Sequence, residues 1–197
     1  MTSPTPLSRW RRLQAETDAV HRALDARIMA GAPFRDAGRY GRFLRMQLGF
    51  FRDIDALYGD GALGAVVPDL AERRRLALAE QDVRDLNIAL PAAEAPVFAG
   101  AIDPPTALGW LYVAEGADLG SPFLLKETAK IGFDDSFGAR HMRGHPEGRG
   151  KHWHRFTDAL DAATLTPEED ARVTAGAFAA FARVTALFEA AGLADET

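Results

Sequence analysis

The stretch GWLYVAEGADLGSPF, residues 109–123, decides the fold because it combines an apolar helical pattern with residues that weaken helices. Gly109, Gly116 and Gly120 interrupt the apolar pattern, and Pro122 follows directly. Each interior glycine costs about 1 kcal/mol relative to alanine, and an interior proline about 3 kcal/mol. The sum, roughly 5–6 kcal/mol, is comparable with the whole stability of a modest domain. These residues therefore predict a packing or binding role for this helix.

The three glycines share one side of the predicted helix. At 100° per residue, Gly109, Gly116 and Gly120 lie within roughly 40° of one another, so that one stripe of the helix has no side chains. Either a second helix packs against this backbone, or a flat ligand lies across it. Because Pro122 has no N–H, the carbonyl of Asp118 loses its usual partner, which predicts a kink and a free carbonyl.

Length and composition indicate one globular domain. The chain has 197 residues, of which 47% are hydrophobic and 26% charged, and we expect a single domain over 1–197 with an ordered core over about 8–190. The net charge of −5 argues against general nucleic-acid binding. The absence of cysteine excludes disulfides, thiolate nucleophiles and cysteine-ligated metal clusters.

The amino-terminal segment MTSPTPLSRWRRLQ has no long apolar run after its basic residues, which is unlike a signal peptide. No segment is expected to reach the roughly 20 apolar residues of a membrane span. These features predict a cytoplasmic protein that does not contact a membrane.

Helical periodicity dominates the chain, and no segment alternates with period two. We predict an all-α domain of six to eight helices, over about 8–29, 36–59, 68–86, from 103–106 onward, over 151–162 and from 166 onward. Ser8 is expected to cap the first helix, and DGALGAVVPDL (60–70) is expected to be a turn. Thr166-Pro167-Glu168-Glu169 is a capping box. The predicted inner face of the last helix comprises Val173, Phe178, Phe181, Thr185 and Phe188.

His21 is the most informative of the five histidines. It is predicted to lie at the edge of the buried face of the first helix, beside Thr17 and Leu24, where either simple packing or metal ligation is possible. Asp18 precedes it by three residues, the spacing of half a di-iron site, but no second pair of this kind exists. His141 and His145 are expected to be solvated loop residues.

The stripe without side chains on the helix of Gly116 and Gly120, here called the glycine wall, predicts a haem pocket if it lies opposite His21. A neutral imidazole can bind the iron on one side, while the bare helix crosses the other side. Aromatic side chains of the second and last helices would then line the edges.

Four segments carry a resemblance to a known family: HRALD (21–25), ALGWLYVAEGADLGSPFLLKE (107–127), FGARH (137–141) and LTPEE (165–169). Together they make the chain resemble the bacterial haem oxygenases, in particular the iron-acquisition enzymes of Gram-negative bacteria. The resemblance implies a helical fold with haem between a proximal and a distal helix. It also implies oxidative cleavage of haem to biliverdin, carbon monoxide and ferrous iron, using O2 and electrons from a ferredoxin, a flavodoxin or a reductase.

The resemblance also implies residue roles. His21 corresponds to the proximal iron ligand, and Gly116 and Gly120 to the distal glycines that contact the haem face. The residues expected to contact haem are Thr17, Tyr112, Gly116, Ala117, Gly120, Lys126 and Phe178.

Three positions depart from patterns found among relatives. Ala117 stands where the animal enzymes carry a water-organising Asp. Met29 and Glu127 stand where some relatives carry two lysines that hold a rotated haem, so cleavage at the α-meso carbon is expected. Lys126, Arg11 or Arg12 are then the candidate partners of the propionates.

Two other functions remain open from the sequence alone. A haem-binding or haem-transfer protein on the same fold would bind haem without turnover, and Ala117 favours this alternative. A different enzyme on a related fold, of the thiamine-degrading or di-iron oxidase type, would need a cysteine or a carboxylate set that the sequence does not offer.

Overall fold

A computed structural model describes residues 7–90 and 94–194 of the chain, and within these ranges the regular structure is helical. Residues 91–93, and the first six residues of the segment MTSPTPLSRWRRLQ that was compared with a signal peptide, lie outside these ranges. Short 3-10 turns cover 55–59, 70–73 and 140–142. The α-helices are α1 (Arg9–Ala30), α2 (Ala37–Ile54), α3 (Gly61–Val66), α4 (Leu76–Asp85), α5 (Pro104–Ala129), α6 (Arg149–Ala162) and α7 (Pro167–Ala190).

Local capping signals set several helix starts. The Asp103 side chain accepts a hydrogen bond from the amide of Thr106 at the start of α5. The predicted capping box is present, since Thr166 and Glu169 exchange side-chain to backbone hydrogen bonds. Ser8 stands at the predicted cap position of α1, but its hydroxyl is buried and bonds to nothing within the described residues. The cap position is therefore correct, and the expected capping bond is not formed.

The region between α2 and α4 differs from the sequence prediction. Residues 60–70, expected to be a turn, contain α3, which Asp60 caps by accepting from the amide of Leu63 at 2.9 Å. The helix expected from Pro68 starts only at Leu76. A 3-10 turn over 70–73 takes its place and directs the side chain of Arg73 into the protein interior, where it is completely buried.

The crossing of α5 and α7 forms the centre of the fold. A Cβ added at Gly109 would lie 2.1 Å from the carbonyl oxygen of Val173, and one added at Gly176 would lie 2.2 Å from the carbonyl oxygen of Thr106. No side chain fits at either distance, so the two backbones touch because both positions are glycine. Tight helix packing is therefore the explanation for Gly109.

By length and composition alone, α7 could cross a membrane, which the sequence prediction overlooked. One third of its most apolar window is buried, and the core helix of a soluble protein passes the same test. Val173, Phe181 and Phe188 are buried as predicted, but Phe178 is 41% exposed and does not belong to the inner face. At 100° per residue, Phe178 lies about 60° to one side of Phe181, whereas the buried Val173, Ala177 and Ala180 lie to the other side, so Phe178 falls outside the buried face.

Candidate functional site

A cavity of about 640 Å³ lies between α1, α2, α5 and α7, in the size range of small-molecule sites. Its lining is mostly apolar, with a few polar groups that point into it. The residues from α1 include Thr17, His21, Leu24, Asp25, Ile28 and Met29. The residues from α5 include Tyr112, Gly116, Ala117, Asp118, Gly120 and Ser121. Other parts of the chain contribute further lining residues, among them Phe43, Gln47, Phe50, Arg75, His141, Trp153 and Phe181.

Six of the expected haem-contacting residues line this one cavity. They are Thr17, His21, Tyr112, Gly116, Ala117 and Gly120. Lys126 and Phe178 do not line it, and both are exposed. Phe181, which also lies on the inner face of α7, is the aromatic residue from that helix that reaches the cavity.

The His21 ring lies in the cavity without a buried polar partner to hold it. Its side chain is 55% exposed, and Nε2 lies 3.3 Å from the carboxylate of Asp25, one turn later on α1. The ring centroid is 5.6 Å from that of Phe181, so α7 supports one face of the imidazole. A packed core histidine would be buried, whereas this ring is accessible to a ligand in the cavity.

The glycines opposite His21 leave the backbone of α5 bare. A Cβ at Gly120 would meet no atom within 4 Å, and one at Gly116 would meet only the Trp153 ring at 3.7 Å. The stripe predicted from the sequence thus has two functions. Gly109 allows two helices to touch, and Gly116 and Gly120 leave open one wall of the cavity.

The carbonyl that Pro122 leaves without an intrahelical partner is not free, contrary to the expectation. The oxygen of Asp118 accepts a hydrogen bond from Nη1 of Arg149 at 3.1 Å. The Asp118 carboxylate also binds Arg149, and lies 3.0 Å from Nη2 of Arg75. Because Asp118 and Arg75 both line the cavity, this group adds a charged, fixed region to its wall.

The expectation of a solvated loop residue is wrong for His141. It is buried rather than solvated, and its Nδ1 lies 2.8 Å from the carboxylate of Asp82, with Nε2 against Gln47. Burial lowers the pKa of His141, while the Asp82 carboxylate opposes that shift. A loop histidine is usually exposed, but here a partner 59 residues away holds it at the cavity.

A second buried network lies beside the Gly116–Gly120 part of α5, around the side chain of Arg73. Arg73, with no side-chain exposure, donates to Glu115 at 2.6 Å, to Asp69 and to the backbone oxygen of His152. Burial raises the pKa of Glu115 above its ordinary value, although Arg73 acts in the opposite direction. Glu115 directly precedes Gly116, so the ion pair ties this part of α5 to the 3-10 turn over 70–73, and the bond from Arg73 to the His152 carbonyl extends the connection to α6.

The candidate propionate partners have other contacts. Arg12 bonds to Asp170, and the Arg11 guanidinium lies 5.2 Å from the centre of the Trp10 ring. Neither arginine lines the cavity. At the two departing lysine positions, Met29 lines the cavity and Glu127 bonds to Lys130 at 2.6 Å.

The di-iron alternative finds no support in the structure. Asp18, the carboxylate closest in sequence to His21, bonds to Arg22 at 2.7 Å. Across residues 7–90 and 94–194, no three acidic or histidine side chains come together in a way that could hold a metal ion.

Comparisons with known proteins agree with this geometry. The family model described as Heme oxygenase matches residues 8–190. Heme oxygenase PigA of Pseudomonas aeruginosa is 35% identical over 181 residues, covering 92% of this chain and 91% of that protein.

Solved structures extend the likeness to the fold. The haem oxygenase of Neisseria meningitidis, solved with NO and CO bound, superposes with a TM-score of 0.88 at 38% identity over 98% of this chain and 96% of that one. The Leptospira interrogans enzyme, at 15% identity over 93% of this chain and all of that one, shares the fold with a TM-score of 0.73. This chain therefore belongs to the haem oxygenase family of oxidoreductases.

Proposed function

We propose that this protein cleaves haem oxidatively to biliverdin, carbon monoxide and ferrous iron within the cavity between α1 and α5. The observation that carries the proposal is the pairing of an accessible imidazole on α1 with the bare Gly116–Gly120 backbone on α5, across one apolar cavity. Haem is both the substrate and the group that supplies the oxygen chemistry.

His21 would bind the iron from the α1 side. A neutral imidazole is the ligand that haem proteins use where strong electron donation by a thiolate is not wanted. Phe181 supports the ring, and the Asp25 carboxylate lies 3.3 Å from Nε2, close enough to bias the orientation of the ring. This ligation would orient the macrocycle with its other face toward the glycines.

Gly116 and Gly120 would determine what fits above the iron. Without side chains, the helix backbone can approach the macrocycle closely and leave room for a small molecule in a restricted set of orientations. Gln47, Arg75 and His141 bring polar atoms to the cavity, and ordered water between them could carry a proton to the reacting oxygen. The distal-face role of Ala117 is then steric rather than that of an acid.

The cleavage position follows from how haem is anchored. The absence of lysines at Met29 and Glu127 favours an unrotated haem and the α-meso product.

The electrons would come from an external ferredoxin, flavodoxin or reductase in the cytoplasm, because a chain without cysteine cannot build its own iron–sulfur cluster.

A titration with hemin tests the ligand assignment. Wild-type protein is expected to give a Soret band and, with O2 and a reductant, to form biliverdin whose isomer is identified by chromatography. His21→Ala is expected to shift the band and abolish turnover, because no other imidazole lies at that position. Added imidazole should restore part of the wild-type spectrum by occupying the vacated coordination position.

His154→Ala is the matched control, since His154 is an exposed histidine on α6 that does not line the cavity. It should retain both the spectrum and the product. If His21→Ala matched the wild type in both measurements, the assignment of His21 as iron ligand would be wrong.

A further inference from the structure

The interior proline of α5 creates a specific structural need. A residue at position 122 with an N–H would donate to the carbonyl of Asp118, but proline cannot. The helix nevertheless runs without interruption from Pro104 to Ala129. The oxygen of Asp118 receives its hydrogen bond from Nη1 of Arg149 instead, at 3.1 Å.

Arg149 is placed to do this by its position at the start of α6. The same guanidinium binds the Asp118 carboxylate through Nη1 and the carbonyl of Met142 through Nη2. Both side chains are largely buried, with 15% of Arg149 and 8% of Asp118 exposed. Three charge-assisted contacts in a partly buried setting make this a rigid attachment rather than a surface ion pair.

Space for the guanidinium depends on Gly144. A Cβ at Gly144 would lie 3.1 Å from Nε of Arg149 and 3.3 Å from its Cγ, closer than most such contacts. The loop before α6 is therefore shaped around the extended arginine. This arrangement connects α5, α6 and the 3-10 turn over 140–142 at a single side chain.

The attachment point lies between the two glycines that form the cavity wall. Asp118 is two residues after Gly116 and two before Gly120, and it lines the cavity together with Arg75. A shift of the backbone at Asp118 would therefore move both glycines relative to the bound substrate. Arg149 itself is not among the cavity-lining residues, so any effect it has on the substrate must act through the two lining residues that it holds, Asp118 on α5 and Met142.

We propose that Arg149 is a positioning residue that replaces the missing N–H of Pro122 and thereby sets the distance between the Gly116–Gly120 backbone and the substrate. The inference rests on the proposed function, because it assumes that this wall faces haem. It adds a residue outside the pocket to those that govern affinity and the site of cleavage.

The test uses the proline itself. Arg149→Met removes the donor, and Pro122→Ala restores an amide that can donate to the Asp118 carbonyl within the helix. Arg149→Met is expected to weaken hemin binding about tenfold, the equivalent of one charge-assisted hydrogen bond. It should also alter the bilin isomer ratio and speed amide hydrogen exchange over residues 118–124 in the haem-free protein.

The double variant Pro122→Ala/Arg149→Met is expected to recover slow exchange and most of the hemin affinity. Arg155→Met is the matched control, because Arg155 lies on the same helix and pairs with Glu147 and Asp69 rather than with α5. It should behave as the wild type. Arg149→Lys keeps the charge and a single donor group, and its hemin affinity and amide exchange are expected to fall between those of the wild type and Arg149→Met. This variant keeps the test decisive if Arg149→Met folds poorly.

Three results would overturn the proposal. The first is an Arg149→Met protein whose hemin affinity and isomer ratio equal those of Arg155→Met. The second is faster exchange without any change in hemin binding. The third is a double variant no better than Arg149→Met. A wild-type protein that fails to bind hemin would instead contradict the proposed function. Amide exchange in the haem-free variants would still decide whether Arg149 supplies the hydrogen bond that the Asp118 carbonyl lacks.

Discussion

At the scale of single residues, Gly109 and Gly120 provide a matched pair on one stripe of α5. Gly120→Leu is expected to stabilise the haem-free protein by up to about 1 kcal/mol, because the helix gains propensity and the new side chain meets open space. It should weaken hemin binding, because that space is the cavity. Gly109→Ala should destabilise the protein by about 1–3 kcal/mol, because its Cβ would overlap the backbone of α7.

Chemical denaturation and hemin titration of both variants check this prediction. The two effects must have opposite signs on stability. Gly120→Leu protein that bound and cleaved haem as the wild type does would show that the open wall is not used by the substrate. Gly109→Ala protein with unchanged stability would contradict the backbone contact with α7.

The predictability of a site residue depended on where its partners lie in the sequence. His21 could be placed beside Thr17 and Leu24 because all three share one helix, whose period fixes their relative directions. His141 could not, because its position depends on Asp82 and Gln47, 59 and 94 residues away. Spacing within a loop carries no information about such partners.

At the scale of elements, the ion pair of Arg73 and Glu115 fixes α5 against the 3-10 turn over 70–73, and Arg73 also reaches α6 through the His152 carbonyl. Arg73→Met would leave the Glu115 carboxylate buried without its partner, and it is expected to cost about 3–5 kcal/mol of stability. The double variant Arg73→Met/Glu115→Met should recover most of that loss, since well-packed apolar residues replace both charges. Urea unfolding of the single and double variants measures both quantities.

Arg74→Met is the control for that experiment, because Arg74 is an adjacent, exposed arginine that pairs with Asp55. Its loss should change stability by less than about 1 kcal/mol. A double variant as unstable as Arg73→Met would mean that contacts of Arg73 with Asp69 and the His152 carbonyl, rather than the pair itself, dominate.

Element boundaries were predictable where a local signal sets them. The caps at Asp103 and Thr166 depend on residues three positions apart, and both helices start where the sequence indicates. The start of α4 was not, because the 3-10 turn over 70–73 is retained by the long-range contacts of Arg73. Periodicity alone extended the helix through this turn.

At the scale of the whole molecule, buried histidines make stability depend on pH. Burial, assisted by Arg73, lowers the pKa of His152 to about 4, and burial also lowers the pKa of His141. Below pH 6.5 the unfolded chain therefore binds protons that the folded chain does not, so that stability falls as pH falls. For His152 the expected loss between pH 6.5 and 5 is roughly 2 kcal/mol.

Urea unfolding at pH 7.5, 6.5 and 5.0 measures this dependence. His152→Gln should show a shallower fall, while the exposed His154→Gln should match the wild type. The remaining slope combines His141, whose lowered pKa acts in the same direction, with Glu115, whose raised pKa lets the folded protein bind a proton and acts in the opposite direction. The aspartates with lowered pKa values titrate below pH 5, so they do not contribute to the fall in stability between pH 6.5 and 5.0. Equal slopes for wild type and His152→Gln would show that His152 does not resist protonation in the folded state.

The overall architecture was accessible from the sequence because the apolar pattern, the caps and the glycine stripe all indicate helices around one core. The family motifs then specified how those helices are arranged. The sequence could not show which glycines of the stripe pack against another helix and which line the cavity. Whether a glycine faces a helix or a cavity depends on Gly176 and Val173, which lie on α7.

The contact between Gly109 and Gly176 fixes α5 against α7 near the amino-terminal end of α5. Beyond that contact, α5 runs along the cavity, and Arg149 holds it again at Asp118. Its last turns pack Leu124 and Leu125 against a second group of buried residues, whereas Phe123, which lines the cavity, is 53% exposed. The α5 side of the cavity therefore combines a helix fixed by backbone contact with one exposed aromatic side chain. A flat substrate would lie against the fixed wall, and a product that is no longer flat would leave past that exposed side chain.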